Sequence, residues 1–422
     1  MNKDPIALLL AGQYPDPETG ALLAADARDV VIADSLAGRE VELLRGLGVG
    51  PHLAVVSDPN THAALGARIE RALASAFTVQ SIVLPHPHAD MSTVDALAAA
   101  LAPNTDAIIA VGSGTLNDLT KMAGVARALP QLVFATAPSM NGYTSLSASI
   151  VTDGVKRSFR AATPIASYFD LAVIAAAPLP LIRAGLGDSV ARATAQADWL
   201  LSHLLLGREY REAPFAMLAA DESALFADPR ALITGDLVAI RSLVRTLVLS
   251  GFGMTLSNGS YPASQGEHLL GHYLESIRPI EVLHGAQIGV CTIAMAELQA
   301  RYLSASETPR VRASTITEAE ILQRHGIAAG ATNWAEVSPK LLTSARADEL
   351  NAKLAAEWPM IRARIERIVI GPERTRSILH AAGCPATPAD LGYTDDDLSQ
   401  AVRHARELRD RYTFLDLAAD AA

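Results

Sequence analysis

Four polar residues between positions 188 and 284 of this 422-residue chain have types and spacing that suit metal chemistry. His268 and His272 are four residues apart and therefore share one face of a helix. Asp188 follows Gly185-Leu186-Gly187, and His284 begins a His-Gly pair; both sit near predicted helix starts. One carboxylate and two imidazoles would hold a divalent cation and leave an open coordination position, as catalytic sites do. On spacing alone, ordinary solvent-facing histidines remain the alternative.

A glycine turn in the first half has the form of a phosphate site. The apolar run that ends at Val111 continues into Gly112-Ser113-Gly114-Thr115-Leu116-Asn117-Asp118 and then a helical pattern. Glycines let the backbone approach a phosphate, and the N–H groups at a helix start favour an anion. A plain strand-to-helix connection stays open, because the third glycine of the usual dinucleotide fingerprint is missing.

A second polar segment follows the next apolar run, at residues 136–145. Parallel strands present their carboxyl ends at one edge of a sheet, where ligands usually bind. Small hydroxyl residues and a proline in that place favour a ligand-binding loop, with a capped turn as the alternative.

The elements that must position these residues change along the chain. Apolar runs without alternation predict strands buried on both faces of a parallel sheet, separated by helical segments. We therefore predict an α/β nucleotide-binding domain over residues 28–175 and an all-α domain over residues 176–422. Residues 1–27 fit neither domain and are predicted to form an extension on the surface or against a partner. The predicted strands are residues 30–33, 53–56, 81–84, 107–111 and 132–135.

Composition excludes several classes of partner. The chain carries 35 basic and 45 acidic residues, a net charge of −10, and no Lys/Arg-rich block, so nucleic acid and anionic membranes are not expected partners. Its two cysteines, Cys291 and Cys384, form no metal-spaced cluster. The apolar stretch at residues 171–182 is broken by Pro178 and Pro180, so we expect no membrane span and a cytoplasmic protein.

Taken in order along residues 28–418, these motifs resemble the sn-glycerol-1-phosphate dehydrogenase family. That family belongs to the superfamily of iron-containing alcohol dehydrogenases, glycerol dehydrogenases and dehydroquinate synthases. The resemblance rests on the glycine turn, Thr136-Ala137-Pro138-Ser139-Met140-Asn141-Gly142-Tyr143, Gly185-Leu186-Gly187-Asp188 with Ala197-Asp198-Trp199, the histidine pair, His284-Gly285 and residues 409–416. It implies a dehydroquinate synthase-like fold, an active site between the domains, and a homo-oligomer.

The resemblance also implies roles for individual residues. Asp188, His268 and His284 would bind one divalent metal ion, commonly zinc, nickel or iron, and His272 would contact the substrate. These four would form the catalytic group. NAD or NADP would bind along the two loop segments, at Gly112, Gly114, Thr115, Leu116, Asn117, Asp118, Thr136, Ala137, Pro138, Ser139 and Ser145. The implied reaction interconverts dihydroxyacetone phosphate and sn-glycerol 1-phosphate.

Two positions depart from the family pattern and leave the substrate open. Asn141 stands where the family usually has Asp, and Arg192 where it usually has Lys. An amide offers one acceptor and one donor where a carboxylate accepts from two hydroxyls. We therefore keep two alternatives, a related dehydrogenase for another polyol or sugar phosphate and an NAD(P)-binding homologue without turnover. A cyclase of the dehydroquinate synthase kind is disfavoured by Asp188, since that group usually has Glu. Asn141, Lys156, Asp188 and His272 are the predicted substrate contacts.

Overall fold

The computed structural model describes residues 4–152 and 155–422, without the side chains of Val155 and Lys156. Contacts divide the chain into two compact units. The first consists of Met1–Ser189 and Glu212–Ser260, and the second of Val190–Arg211 and Tyr261–Ala422. The predicted boundary after residue 175 differs from this division. Residues 212–260 pack with the α/β part because Thr144 Oγ1 donates to the Val248 carbonyl and Arg241 donates to the Ile32 carbonyl.

The first unit is built on a parallel sheet of six strands, in the spatial order Asp29–Ala33, Ala166–Asp170, Gln131–Ala135, Ala107–Gly112, His52–Ser57 and Thr78–Val83. Successive residues of the central strands, such as Ile108 and Ile109, are fully buried in different core clusters. This explains the uninterrupted apolar runs and confirms the predicted α/β class. The strands are β1 (Tyr14–Pro15), β2 (Leu22–Leu23), β3 (Asp29–Ala33), β4 (His52–Ser57), β5 (Thr78–Val83), β6 (Ala107–Gly112), β7 (Gln131–Ala135), β8 (Ser147–Thr152), β9 (Val155–Arg160) and β10 (Ala166–Asp170).

Five strands had no prediction, namely the short β1–β2 pair, β8, β9 and β10, and two strands differ from their predictions. Strands β8 and β9 form an antiparallel pair in which polar residues interrupt the apolar ones. Strand β10 is buried but contains Ser167 and Asp170 and no β-branched aliphatic residue, so it lacks the signal of its neighbours. Strands β3 and β5 are expected to be buried on both faces, yet they are the two edge strands: β3 is half-buried along its length, and Val83 of β5 is 41% exposed.

Helices surround this sheet and include the N-terminal segment. Ile6 and Leu9 of α1 are buried, and Asp4 pairs with Arg245 at 2.8 Å, so the segment packs on the first unit. The helices are α1 (Pro5–Leu10), α2 (Glu40–Leu47), α3 (Pro59–Thr61), α4 (Ala67–Leu73), α5 (Met91–Ala100), α6 (Gly114–Arg127), α7 (Leu171–Ala175), residues 179–189 of α8 (Leu179–Leu206), α9 (Ala213–Ala216), α10 (Ala219–Ala227) and α11 (Leu237–Leu256).

Helix α11 is long and apolar enough, by length and composition, to cross a membrane. It is also 67% buried over its most apolar window, and the Val248 carbonyl accepts a hydrogen bond from Thr144. These are properties of a core helix. Helix α11 is a longer apolar segment than residues 171–182, and no proline interrupts it.

The regular elements described in the second unit are helices, apart from one isolated bridge between Val311 and Ala421. Residues 395–417 do not form one helix: a 3-10 turn and residues 409–413 divide them, and the Thr413 side chain caps a new helix. The helices are residues 190–206 of α8, α12 (Gly266–Ile277), α13 (His284–Ser304), α14 (Glu318–His325), α15 (Ile327–Val337), α16 (Ser344–Glu366), α17 (Pro372–Ala381), α18 (Asp395–His404) and α19 (Phe414–Ala419).

Candidate functional site

The glycine turn joins β6 directly to α6. A Cβ atom on Gly112 would lie 2.3 Å from Leu116 Cδ1, so a side chain does not fit where the strand turns into the helix. The Ser113 side chain makes no capping hydrogen bond at the start of α6, whereas Asp90 and Asp236 cap α5 and α11. The N–H groups at the start of α6 are therefore suited to receive an anion.

Two predicted cofactor residues on α6 instead bind other parts of the protein. Asn117 is fully buried, and its amide oxygen accepts a hydrogen bond from Gln131 Nε2 at 3.4 Å. Asp118 Oδ2 accepts from the Ser149 amide at 2.9 Å. Leu116 lies in the core with its side chain 2% exposed, while Thr115 is exposed. Phosphate contacts from this segment would therefore come mainly from the backbone and Thr115.

Lys121, two turns into α6, had not been predicted as a site residue. Its Nζ donates to the carbonyls of Gly142, Ser145 and Ser147 at 2.6, 2.8 and 3.1 Å. Burial lowers the pKa of this ammonium to about 8, although nearby Asp118 acts in the opposite direction. The only sequence signal was a charged residue on the face of α6 that also carries Asn117, Thr120 and Gly124, all buried.

Residues 136–146, called here the β7–β8 loop, contain the second set of predicted cofactor residues. Thr136 donates its amide to the Gly112 carbonyl at 3.1 Å, so the loop begins beside the glycine turn. A Cβ on Gly185 would come within 1.7 Å of the Pro138 carbonyl oxygen, and one on Gly251 within 2.2 Å of Thr144 Oγ1. Helices α8 and α11 can therefore approach the loop this closely only with glycine at these positions.

Asp188 reaches the same loop. Its Oδ2 atom accepts a hydrogen bond from the Asn141 amide at 2.9 Å, and the Asp188 side chain is buried. The backbone of one predicted substrate residue therefore orients the carboxylate of a predicted metal ligand. The contact does not depend on whether residue 141 is Asn or Asp, because only its main chain takes part.

The second unit brings its three predicted histidines together. The ring centroids of His268 and His284 are 5.1 Å apart, and that of His272 lies 6.3 Å from each. Helix α12 places His268 and His272 one turn apart, and His284 is the first residue of α13. The i,i+4 spacing is confirmed as a shared helical face, and the packing of α12 against α13 adds the third ring.

Carboxylates support this histidine cluster, and sequence reasoning missed the main one. Glu267 Oε1 is 3.0 Å from His268 Nδ1, and Glu267 Oε2 accepts from Thr194 Oγ1 at 3.1 Å. Asp198 Oδ2 accepts from the Gly266 amide at 3.0 Å, just before His268 in the chain. Burial, with nearby Glu267, raises the pKa of Asp198 to about 8. A carboxylate at Nδ1 favours Nε2 as the lone-pair nitrogen of His268.

Two cationic candidates remain outside these clusters. Arg192 donates to Gln196 Oε1 at 2.6 Å on α8. The backbone of Lys156 pairs with Val151 in the β8–β9 ladder, but its side chain lies outside the described residues. The prediction that Lys156 contacts an anion or substrate therefore stays a prediction.

Comparisons with known proteins agree with this arrangement. A family model for iron-containing alcohol dehydrogenase matches residues 31–178. A glycerol-1-phosphate dehydrogenase (NAD(P)+) of Bacillus velezensis is 31% identical over 418 residues, which cover 95% of this chain and 93% of that protein. One from Bacillus subtilis is 29% identical over 376 residues, covering 86% of this chain and 84% of that protein.

A solved structure extends the similarity to the fold. The crystal structure of glycerol dehydrogenase from Schizosaccharomyces pombe superposes with a TM-score of 0.56, covering 90% of this chain and 89% of that one. Its sequence identity of 17% speaks for the fold alone. The predicted dehydroquinate synthase-like fold is confirmed.

Proposed function

Because the chain belongs to the glycerol-1-phosphate dehydrogenase family, within the iron-containing alcohol dehydrogenase superfamily, we propose that it interconverts dihydroxyacetone phosphate and sn-glycerol 1-phosphate with NAD(P). The observation that carries the proposal is the 31% identity over 95% of the chain to a relative bearing that name. The clustered histidines, which suit a metal ion, and the uncapped start of α6, which suits a phosphate group, also support the proposal.

Asp188, His268 and His284 are the proposed metal ligands. They offer one carboxylate oxygen and two imidazole nitrogens, a donor set that zinc, nickel and iron accept. The carboxylate of Glu267 at His268 Nδ1 fits this role, since ligating histidines usually donate their other N–H to such a group. A bound divalent ion would supply a Lewis acid for the substrate oxygen.

NAD or NADP would lie along the glycine turn and the β7–β8 loop. The pyrophosphate would meet the backbone N–H groups at Gly114 and Thr115, with Thr136, Ala137, Pro138, Ser139 and Ser145 on the nicotinamide side. The dinucleotide supplies the hydride chemistry. In this proposal, Gly112 lets the turn form, and Asn117 and Asp118 fix α6 against neighbouring segments.

His272 is the proposed proton-handling residue. In the reductive direction a hydride is added to the ketone carbon and a proton to the ketone oxygen. The His272 ring lies in the histidine cluster, and its Nδ1 is 3.5 Å from Glu275 Oε2. That pairing suits a ring that holds or delivers a proton. Asn141 would contact substrate hydroxyls, and Arg192 and Lys156 would supply positive charge for the phosphate.

A direct assay tests the proposal. Purified protein reconstituted with Zn2+, Ni2+ or Fe2+ should oxidise NADH or NADPH when dihydroxyacetone phosphate is added, and the product should be the sn-1 isomer. Exhaustive chelation should remove the activity, and re-addition of one of these ions should restore it. Full activity after chelation would overturn the metal role, and absence of turnover with every metal and cofactor combination would overturn the reaction.

Asn141 motivates a second candidate, a dehydrogenase for another polyol or sugar phosphate. A panel of polyols and their phosphates separates the two, with the Asn141→Asp variant assayed on the same panel. If the amide has changed the preference, Asn141→Asp should regain activity with dihydroxyacetone phosphate at the expense of the other substrate. Equal relative activities of the wild type and Asn141→Asp over the whole panel would show that Asn141 does not determine the substrate preference.

The remaining proposals concern whether the protein turns over a substrate, its oligomeric state and its location in the cell. Binding of NAD(P)H without turnover on any panel member, and without metal retained on purification, would favour the non-catalytic homologue. We propose that the protein is a cytoplasmic homo-oligomer, a dimer or larger. Light scattering would measure the mass of the oligomer.

A further inference from the structure

We propose that Lys121 is a positioning residue that holds the β7–β8 loop in the shape that binds the nicotinamide half of the cofactor. The inference rests on the proposed function, because it assigns Lys121 to the proposed cofactor site. Lys121 would not contact the cofactor itself. It would act through the carbonyl groups that it binds.

The hydrogen-bond geometry accounts for every proton of the ammonium. A lysine has three donors, and Nζ lies within 3.1 Å of three backbone carbonyls, those of Gly142, Ser145 and Ser147. Ser145 Oγ adds a fourth contact at 3.4 Å. Lys121 is 1% exposed, so water does not compete for these acceptors. The ammonium thus fixes three carbonyls within a stretch of six residues.

The Gly142 carbonyl also accepts from the Ser145 amide at 3.3 Å, but regular secondary structure supplies little else to this segment. Residues 142–144 form a single 3-10 turn, and β8 begins only at Ser147. Burying an ammonium group costs free energy because the charge loses its hydration, and burial lowers the pKa of Lys121 to about 8. At neutral pH the protonated form still predominates, so the clamp is present under ordinary conditions.

Helix α6 connects this clamp to the glycine turn. The helix begins at Gly114, and Lys121 lies seven residues further on, a rise of about 10 Å. Asp118 adds a second attachment by accepting the Ser149 amide at 2.9 Å. One rigid helix therefore carries the proposed pyrophosphate contact at its start and sets the distance from there to the loop.

The opposite side of the loop is closed by close helix contacts. Gly251 of α11 leaves space for Thr144 Oγ1 and the Asn141 carbonyl, and Gly185 of α8 leaves space for the Pro138 carbonyl. The loop is thus held by hydrogen bonds from Lys121 of α6, and by close contacts and the Thr144–Val248 hydrogen bond on the side of α11. Loss of the Lys121 bonds should loosen residues 142–147, while the contact of Gly185 with Pro138 stays.

The test compares Lys121→Met with Lys340→Met. Lys340 is also almost completely buried, at 3% exposure, and its Nζ binds the Arg411 carbonyl and Asp416 Oδ1 in the second unit. Both variants remove a buried ammonium, so a general loss of stability affects both. We expect Lys121→Met to raise the Kd for NAD(P)H, measured by fluorescence titration, about tenfold or more, and Lys340→Met to leave it within twofold.

Hydrogen exchange gives the second measurement. In Lys121→Met the amides of residues 142–149 should exchange at least tenfold faster than in the wild type, with no such change in Lys340→Met. An unchanged Kd and unchanged exchange in Lys121→Met would overturn the positioning role while leaving the proposed function intact. Failure of the wild-type protein to bind NAD(P)H would instead overturn the proposed function, and this inference with it.

The wild type provides a measurement that does not depend on a folded variant. Without cofactor, the amides of residues 143–149 should exchange about as slowly as those of β6, because the clamp is already formed. Exchange as fast as in residues 86–89, which are exposed or half-buried outside regular secondary structure, would overturn the inference.

Discussion

The two units bury charge of opposite sign beside their candidate sites. In the first unit an ammonium, Lys121, is surrounded by backbone carbonyls of the β7–β8 loop and of the first residue of β8. In the second, the carboxylate of Glu267 lies among donors from the Thr194 hydroxyl, the Gln265 amide and the His268 ring. Both charges are inside the protein, and both are fully engaged by polar partners.

The difference lies in what each charge holds. Lys121 fixes main-chain atoms, so its effect spreads over a whole loop and every side chain on it. Glu267 contacts the ring of His268, while Asp198 fixes the backbone just before it. Substitutions near the first site should therefore alter cofactor binding broadly, and substitutions near the second should act on one proposed metal ligand.

The largest effect is expected from a substitution in the histidine cluster of the second unit. His268→Ala removes a proposed metal ligand, and we expect activity to fall by about 1,000-fold or more, a loss of about 4 kcal/mol in transition-state stabilisation. Metal content after dialysis, measured by elemental analysis, should fall with it. His88→Ala, in an exposed segment, is the control and should retain both. Unchanged metal content in His268→Ala would contradict the ligand assignment.

Acid pH acts on the carboxylates of the second unit. Burial opposes ionisation of Glu407, but hydrogen bonds from His325, His404 and Arg324 hold its pKa at about 2, below the ordinary 4.5. Its stabilising effect is complete above about pH 4.5 and is lost as pH falls towards 2. It amounts to about 3 kcal/mol in the free energy of unfolding.

Denaturant unfolding at several pH values measures this effect. Tryptophan fluorescence is the appropriate signal because all three tryptophans lie in the second unit. Glu407→Gln should be less stable at neutral pH and should lose less stability between pH 5 and 3. Glu373→Gln, whose side chain is 89% exposed, should behave as the wild type. Identical pH profiles for Glu407→Gln and the wild type would contradict the assignment.

Close packing in the first region gives an effect of similar size. Gly185→Ala would place a methyl group against the Pro138 carbonyl, and overpacking of this kind costs up to about 3 kcal/mol. We expect a lower unfolding midpoint by circular dichroism and weaker cofactor binding. Gly46→Ala, in α2 with no atom near its added Cβ, should be neutral or stabilising by at most about 1 kcal/mol. Equal midpoints for the two variants would show that α8 can move away from the loop.

The smallest effect is expected from a substitution of the carboxylate that supports His268 in the second unit. Glu267→Gln removes the charge behind His268 but keeps its size, and such changes typically weaken metal binding 10- to 100-fold. Competition with a chelator of known affinity measures it directly. Glu297→Gln, half-exposed on α13, is the control and should bind within twofold of the wild type. If Glu267→Gln lowered the affinity for the cofactor and left the affinity for the metal unchanged, the assignment of Glu267 to the proposed metal site would be wrong.

Much of the fold could be predicted because its signals are local. The five apolar runs correspond to β3, β4, β5, β6 and β7. Three of them, β4, β6 and β7, are apolar because both of their faces are covered. The glycine turn and the His268–His272 spacing likewise depend on residues that are neighbours in the sequence. Strand β10 and the β8–β9 pair lacked such a signal, because their polar residues interrupt the apolar runs.

The sequence by itself determined the types of groups available for chemistry and the elements that carry them. The tertiary structure alone decided which atoms hold them in place. Lys121 binds carbonyls 21 to 26 residues away, the Asn141 amide binds Asp188 47 residues away, and Glu267 is bound by Thr194 73 residues away. Local patterns do not specify such contacts, since they form only when packing removes water and leaves buried polar groups to pair with one another.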